Sequence, residues 1–357
     1  MSIYDDLKGQ YKGYLKKKWL FSIIVFTVAF IAMGLELSTG SFKIEFLESF
    51  EIVIDHITGN TGTDPTSIRK DFIVWDTRLP RAIAGMLCGV GFAICGAMMQ
   101  SSLKNPLADP YTTGISAGAS LGATLAIGLG ICIIPGIYGE LATVINAFAF
   151  ALIPGTAIVL VTIFKKHMSA SMMILVGVAV MYLFTAVSTM IRLTLTEDTL
   201  ADLYIWNVGT IGKASWENLH YMLIAAVLAI IVGMAMYRKL NLLITSDNVA
   251  RSLGADPKKV RIIMLVTVSL VAALFVSFTG TIGFVGLVAP HVGRLFMGSD
   301  NKYLIPASAA IGAMLMLVSD CIAKSVGSGL PVGTITALIG GPLFLYLLVK
   351  QSKTYKW

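Results

Sequence analysis

Several side chains in this 357-residue chain are of a type and spacing that could do chemistry. Cys88 and Cys95 stand seven apart in one apolar run, so two thiols share a helix face. They could hold a metal or exchange electrons, or simply be buried free thiols acting as small apolar groups, like Cys132 and Cys321. His291 follows Pro290 inside an apolar stretch, where an imidazole could ligate a metal, relay a proton or fill a structural place. Arg192 closes another apolar run; it could meet an anionic cargo or snorkel to the membrane surface. Asp320 and Lys324, four apart, fit a turn-to-turn ion pair.

Other chemistry is missing. No G-x-x-x-x-G-K-[ST] phosphate loop occurs, so the chain does not bind ATP through that motif. Acidic residues are nearly absent from the apolar runs, with Glu36 and Asp320 at their edges. A proton-coupled carrier buries a carboxylate relay, so a stand-alone secondary transporter is the weaker alternative.

The elements that position these residues are membrane helices. The chain is 56% hydrophobic and 13% charged, with mean hydropathy +0.80, against about 25% charged residues in soluble domains. The net charge of +7 reads as basic loops of a membrane protein, and nucleic acid is not an expected partner. No signal peptide stands out, because the first apolar run is long and lacks a small-residue cleavage site. We expect an all-α polytopic membrane protein, a single domain over 1–357, with about ten transmembrane helices.

In order, 1–18 reads as a basic cytoplasmic segment, 19–37 as the first span and 40–77 as a polar insertion holding one amphipathic external helix. Leu79 to Met99 is the second span; a polar elbow from Gln100 to Pro110 turns the chain into the third, where Gly114, Gly118 and Gly122 repeat the spacing of Gly85 and Gly89. Small residues every four positions let membrane helices approach closely. Further spans fall at 140–164, 172–193, 219–237, 260–277, 303–323 and 334–349, with 280–298 too short and too broken by Gly and Pro for a standard span. Such a segment is tolerable only where protein or a cavity surrounds it. With the N-terminus inside, nineteen of the 27 Lys and Arg fall on the inner side, which puts both termini in the cytoplasm. Spans two to five and seven to ten also echo each other in opposite directions, as inverted repeats do.

The wording of four stretches resembles one family. R-L-P-R at 78–81 precedes a Gly-rich helix ending in Gln100, then N-P-L-A-x-P and G-x-S-x-G-A, and GFVGLVAPHVGR fills 283–294. From roughly residue 20 to 350 this is similar to the FecCD-type permeases, subunits of type II ABC importers that carry iron–siderophore complexes, haem and vitamin B12. The resemblance implies the type II ABC importer permease fold in a prokaryotic cytoplasmic (inner) membrane. It implies a homodimer of two permease copies, two ATPase subunits that hold ATP and Mg, and an extracytoplasmic substrate-binding protein. The chain itself would bind no cofactor or metal and would not be an enzyme. The cargo would be an iron chelate, ferric siderophore before haem, with cobalamin the alternative.

The resemblance also assigns roles. The cytoplasmic loop 238–259 would couple to the ATPase, with Ala250, Leu253 and Gly254 on the family's A-x-x-L-G. Arg78, Arg81 and Lys324 would receive carboxylates of the binding protein; lysine at the third position, where the family has arginine, keeps the charge but loses the bidentate fork. The family's E-L-P-x-G is Gly329-Leu-Pro-Val-Gly333 here. Asn105 and Leu107 in the elbow and the turn Ser169-Ala170-Ser171 would form the inner gate, and Arg192 would lie on the translocation path. Pro290, His291 and Arg294 would be structural or coupling residues, since that motif recurs across cargoes.

Overall fold

The computed structural model describes residues 3–165, 168–326 and 329–352. Within them the secondary structure is helical. Seven helices are long and apolar enough to cross a membrane, and three shorter apolar ones, Ile115–Gly128, Val285–Met297 and Val332–Leu347, complete the expected ten. Lys166, Lys353 and Lys356, which enter the charge count, lie outside the described residues.

The helices are α1 (Ile3–Ser38), α2 (Phe46–Thr58), α3 (Pro65–Asp71), α4 (Leu79–Leu103), α5 (Ile115–Ala123), α6 (Gly139–Phe164) and α7 (Ala170–Arg192). They continue as α8 (Glu197–Val208), α9 (Trp216–Thr245), α10 (Asp247–Ser252), α11 (Pro257–Thr279), α12 (Val285–Met297), α13 (Asn301–Ser325) and α14 (Val332–Ser352). Two ends of the bundle result, named here by the short helices on them: the α2 end and the α10 end.

Four boundaries differ from the sequence expectations. The basic stretch before residue 19 is itself helical: α1 is continuous from Ile3, and its membrane-length apolar part begins at Lys16. The insertion at 40–77 holds more helix than the one expected. Asp64 caps α3 through the amides of Thr66 and Ser67, Pro65 starts it, and a π-helical stretch Phe72–Arg78 feeds it straight into α4. The polar segment after Arg192 contains a full helix, α8. The loop 238–259 shrinks to the surroundings of α10, since α9 runs on to Thr245.

Helix α4 sits at the centre, with 83% of its apolar window buried, against 11% for α7. Close backbone contact explains the glycines. A Cβ on Gly89 would stand 2.3 Å from the Gly312 carbonyl of α13, and one on Gly118 would stand 2.3 Å from the Phe150 carbonyl of α6. Gly85 is different, meeting side-chain ends alone, Ile211 at 3.0 Å and Leu317 at 3.9 Å. The amphipathic α2 forms as expected, closed by a capping box and a left-handed Gly59. Helices α5 and α12, both short, each start from a left-handed residue, Gly114 (φ 89°) and Phe284 (φ 69°).

Candidate functional site

At the α10 end, Ser246 rather than Asp247 caps α10, accepting from the Val249 amide at 3.1 Å. Gly254 ends the turn at φ 81°. Ala250 is buried as the anchor, whereas Leu253 is 63% exposed and a Cβ on Gly254 would meet nothing within 4 Å. The three motif residues therefore divide into one that holds α10 to the bundle and two that face outward.

Asp247, freed from capping, joins three elements. It accepts from both terminal nitrogens of Arg261 in α11 at 2.8 Å, and from Lys104 Nζ at 2.9 Å. Arg261 is itself buried and donates through Nε to the Ser102 carbonyl of α4 at 3.0 Å. The Arg261 fork, helped by Lys104, holds the Asp247 carboxyl down to about 2. Sequence reasoning missed this group, because the partners lie 14 and 143 residues from Asp247.

Lys104 (φ 52°) is also where α4 stops and the elbow begins. Asn105 takes the Leu107 amide on its side-chain oxygen at 2.9 Å, an Asx turn that leaves Leu107 46% exposed. The elbow then rises through a 3-10 turn, Pro110–Thr113, capped by Asp109. Thr113 lies against Gly177 of α7, where a Cβ would come within 2.9 Å. Ser169 is the N-cap of α7, bonded to the Met172 amide at 3.2 Å, and Ser171 sits exposed in its first turn. The expected small-residue turn is thus the start of α7 itself. The turn that follows the elbow packs on α7 at Gly177, and Lys104 at the head of the elbow joins the Asp247 group.

The GFVGLVAPHVGR stretch is a broken span, as expected. Residues 280–284 are not helical, and protein meets their backbone: Tyr111 Oη accepts from the Ile282 amide at 3.0 Å, and the Gly280 carbonyl accepts from Thr279 Oγ1 at 3.1 Å. In α12, Arg294 donates to the Gln100 side chain, and Gln100 Nε2 donates to the Leu287 carbonyl at 3.2 Å. Two motif residues 194 apart in sequence thereby tie α12 to the last turns of α4. Pro290 lies within α12, and His291 is buried against Phe344 with ring centroids 5.7 Å apart. Neither ring nitrogen of His291 has a partner, and no cluster of three His, Cys, Asp or Glu forms among the described residues.

At the α2 end the three expected docking cations are occupied within the chain. Arg78 is buried and donates to the carbonyls of Leu37 at 2.7 Å and Phe42 at 2.5 Å. Arg81 forms a two-pronged pair with Asp320 at 2.9 and 2.7 Å. Lys324 pairs with Glu36 and, at 3.5 Å, with Asp320, the expected turn-to-turn pair. Glu36 and Asp320 are fully buried. An open cavity of about 450 Å³ is lined by Arg78, Arg81, Lys324 and Gly329, so these cations edge a recess instead of projecting from a surface. Gly333 packs on the Val208 carbonyl, where a Cβ would stand at 1.8 Å.

Arg192 ends α7 at the α2 end, more than twenty residues and so about 35 Å along the helix from Ser169. It does not reach outward; Nη2 donates to Ser120 Oγ at 2.8 Å and Thr124 Oγ1 at 3.2 Å. Ser169 and Arg192 therefore occupy opposite ends of α7.

Ten apolar helical segments, one of them broken and protein-lined, with a capped surface helix tied to an elbow, make a polytopic membrane protein. The chain belongs to the FecCD transport family, whose pattern matches residues 26–350. It is 37% identical to the cobalamin import system permease protein BtuC of Halobacterium salinarum over 276 residues, 77% of this chain and 73% of that protein. It is 30% identical to the iron(3+)-hydroxamate import system permease protein FhuB of Bacillus subtilis over 284 residues, 79% of this chain and 72% of that protein. Among solved structures, an inward-facing ABC transporter assigned to the metal-chelate type superposes with a TM-score of 0.76 at 26% identity, covering 92% of this chain and 98% of that one.

Proposed function

We propose that two copies of this chain form the channel of an importer that moves a ferric siderophore inward, with the α10 end in the cytoplasm. A separate ATPase docks on Leu253 and Gly254, and a binding protein delivers cargo at the α2 end, near Arg81 and Lys324. The observation that carries the reading is the exposed Leu253 on a helix that Asp247 fastens to the elbow. A partner that pushes α10 thereby moves Asn105 and Leu107, which open beside the start of α7. The bare α7, so little buried within its own chain, suits a helix that meets a second copy across the pathway.

The FhuB likeness and the metal-chelate neighbour favour iron chelates. Cobalamin is the second reading, favoured by the BtuC relative. The test is uptake into liposomes holding the chain with its ATPase and binding protein, comparing ferric siderophore, haem and cobalamin with and without ATP. Uptake of ferric siderophore only with ATP is expected. Uptake driven by a proton gradient alone would replace the proposal with a stand-alone carrier.

A further inference from the structure

Arg192 differs from the other buried or half-buried arginines in what holds it. Arg81 and Arg261 meet carboxylates, Arg78 meets two backbone carbonyls, and Arg294 meets the Gln100 amide. Arg192 meets only two hydroxyls, both through Nη2. Its Nε is buried without a partner, as is Ser188 Oγ one turn earlier on the same helix face. Nη1 is neither bonded nor enclosed among the described residues. Glu197 and Asp198, in the first turn of α8, make no ion pair with it. A guanidinium held in a low-dielectric wall without an anion is costly unless an anion arrives.

The hydroxyls that hold it are themselves fixed. Ser120 donates to Asn207 Oδ1 at 2.6 Å, Asn207 Nδ2 donates to the Leu203 carbonyl at 2.7 Å, and the Asn207 carbonyl accepts from Thr281 in the broken segment. Arg192 is thus aimed by a polar line running from α7 through α5 and α8 to the start of α12. Planar, fixed and two-donor, it suits an oxygen anion better than a diffuse charge would.

The geometry points to Arg192, aimed by Ser120, Thr124 and Asn207, as a subsite for a peripheral carboxylate of the cargo chelate at the α2-end mouth of the pathway. This rests on the importer reading for the origin of the ligand, not for the existence of the site. An anionic lipid headgroup offers the same chemistry and is the occupant to be told apart.

The experiment uses the full chain with its ATPase in phosphatidylcholine nanodiscs, without binding protein or ATP. Equilibrium binding of haem, with two free propionates, is compared with binding of its dimethyl ester. The wild type should bind the propionate form about tenfold more tightly, as one charge-assisted contact gives. Arg192→Gln should bring that ratio to about one, and Arg192→Lys should keep part of it. Equal ratios in wild type and Arg192→Gln overturn the subsite. So does a thermal shift on adding phosphatidylglycerol that Arg192→Gln removes, which would make the occupant a lipid. ATP-driven siderophore uptake, measured in parallel, reports on the importer reading separately.

Discussion

Asp247 and Arg261 share two hydrogen bonds of 2.8 Å, and the same carboxylate reaches Lys104, the last residue before the elbow. One side chain therefore fastens the outward-facing α10 to α11 and to the end of α4. Asp247→Asn keeps the size and removes the charge, leaving the buried Arg261 with little beyond the Ser102 carbonyl. A loss of about 1–3 kcal/mol is expected, since hydrogen bonds to charged groups carry that much. ATP-driven uptake should fall further than stability does, because the link from α10 to the elbow is cut. Thermal melting and uptake on the same preparation separate the two effects.

The pH dependence of that link has a definite sign. The Asp247 carboxyl sits at about 2, below its ordinary 3.8. A depressed carboxyl contributes stability that is fully present above about pH 4 and is lost as pH falls toward 2. Wild type should therefore lose its advantage over Asp247→Asn between pH 4 and pH 2. An advantage that stays constant through that window would mean the carboxylate is not what holds α10.

Leu253 and Gly254 should respond differently from Asp247. Leu253→Glu changes an exposed side chain, so folding should be unaffected. ATPase binding, measured by co-purification, should drop at least about tenfold if this apolar tip docks. Gly254→Ala meets no atoms but must adopt φ 81°, at a cost of roughly 1–2 kcal/mol. A Leu253→Glu permease that still couples would move the docking surface elsewhere.

Much of this was legible in the sequence, and the remainder was not for physical reasons. Long apolar runs and Gly every fourth residue fix spans and close contacts locally, so ten segments and the tight Gly89 and Gly118 could be read directly. Helix α8 was not readable, because its residues carry no apolar stripe and only Leu203 is buried. The Gln100–Arg294 and Asp247–Lys104 contacts join residues far apart in the chain, and each residue alone looks like a motif letter or a cap. The partners of Arg78, Arg81 and Lys324 were hidden likewise: a basic residue at a helix end looks free until its partner is placed.

The glycine contacts make a sharp packing test. A Cβ on Gly96 would stand 1.7 Å from the Gly286 carbonyl, so backbone meets backbone and no rotamer can yield. Gly96→Ala should force α4 from α12 and cost roughly 1–3 kcal/mol or prevent assembly. Gly85→Ala, which meets the Ile211 methyl at 3.0 Å and a Leu317 methyl at 3.9 Å, should be tolerated within about 1 kcal/mol. Equal melting temperatures for the two variants would contradict the close α4–α12 approach.

At the α2 end, stability and docking can be separated because Arg81 is bound to Asp320. Asp320→Asn leaves Arg81 and Lys324 without their shared anion in a site where Asp320 is fully buried. Breaking one side of a buried pair costs about 3–5 kcal/mol, whereas replacing both sides by apolar groups is often neutral. Asp320→Asn should therefore lower the melting temperature strongly, and Arg81→Met with Asp320→Leu should restore most of it. If Arg81 also meets a carboxylate of the binding protein, the restored double variant should still bind that protein several-fold more weakly. Affinity returning along with stability would make Arg81 a structural residue alone and leave docking to other groups around the recess.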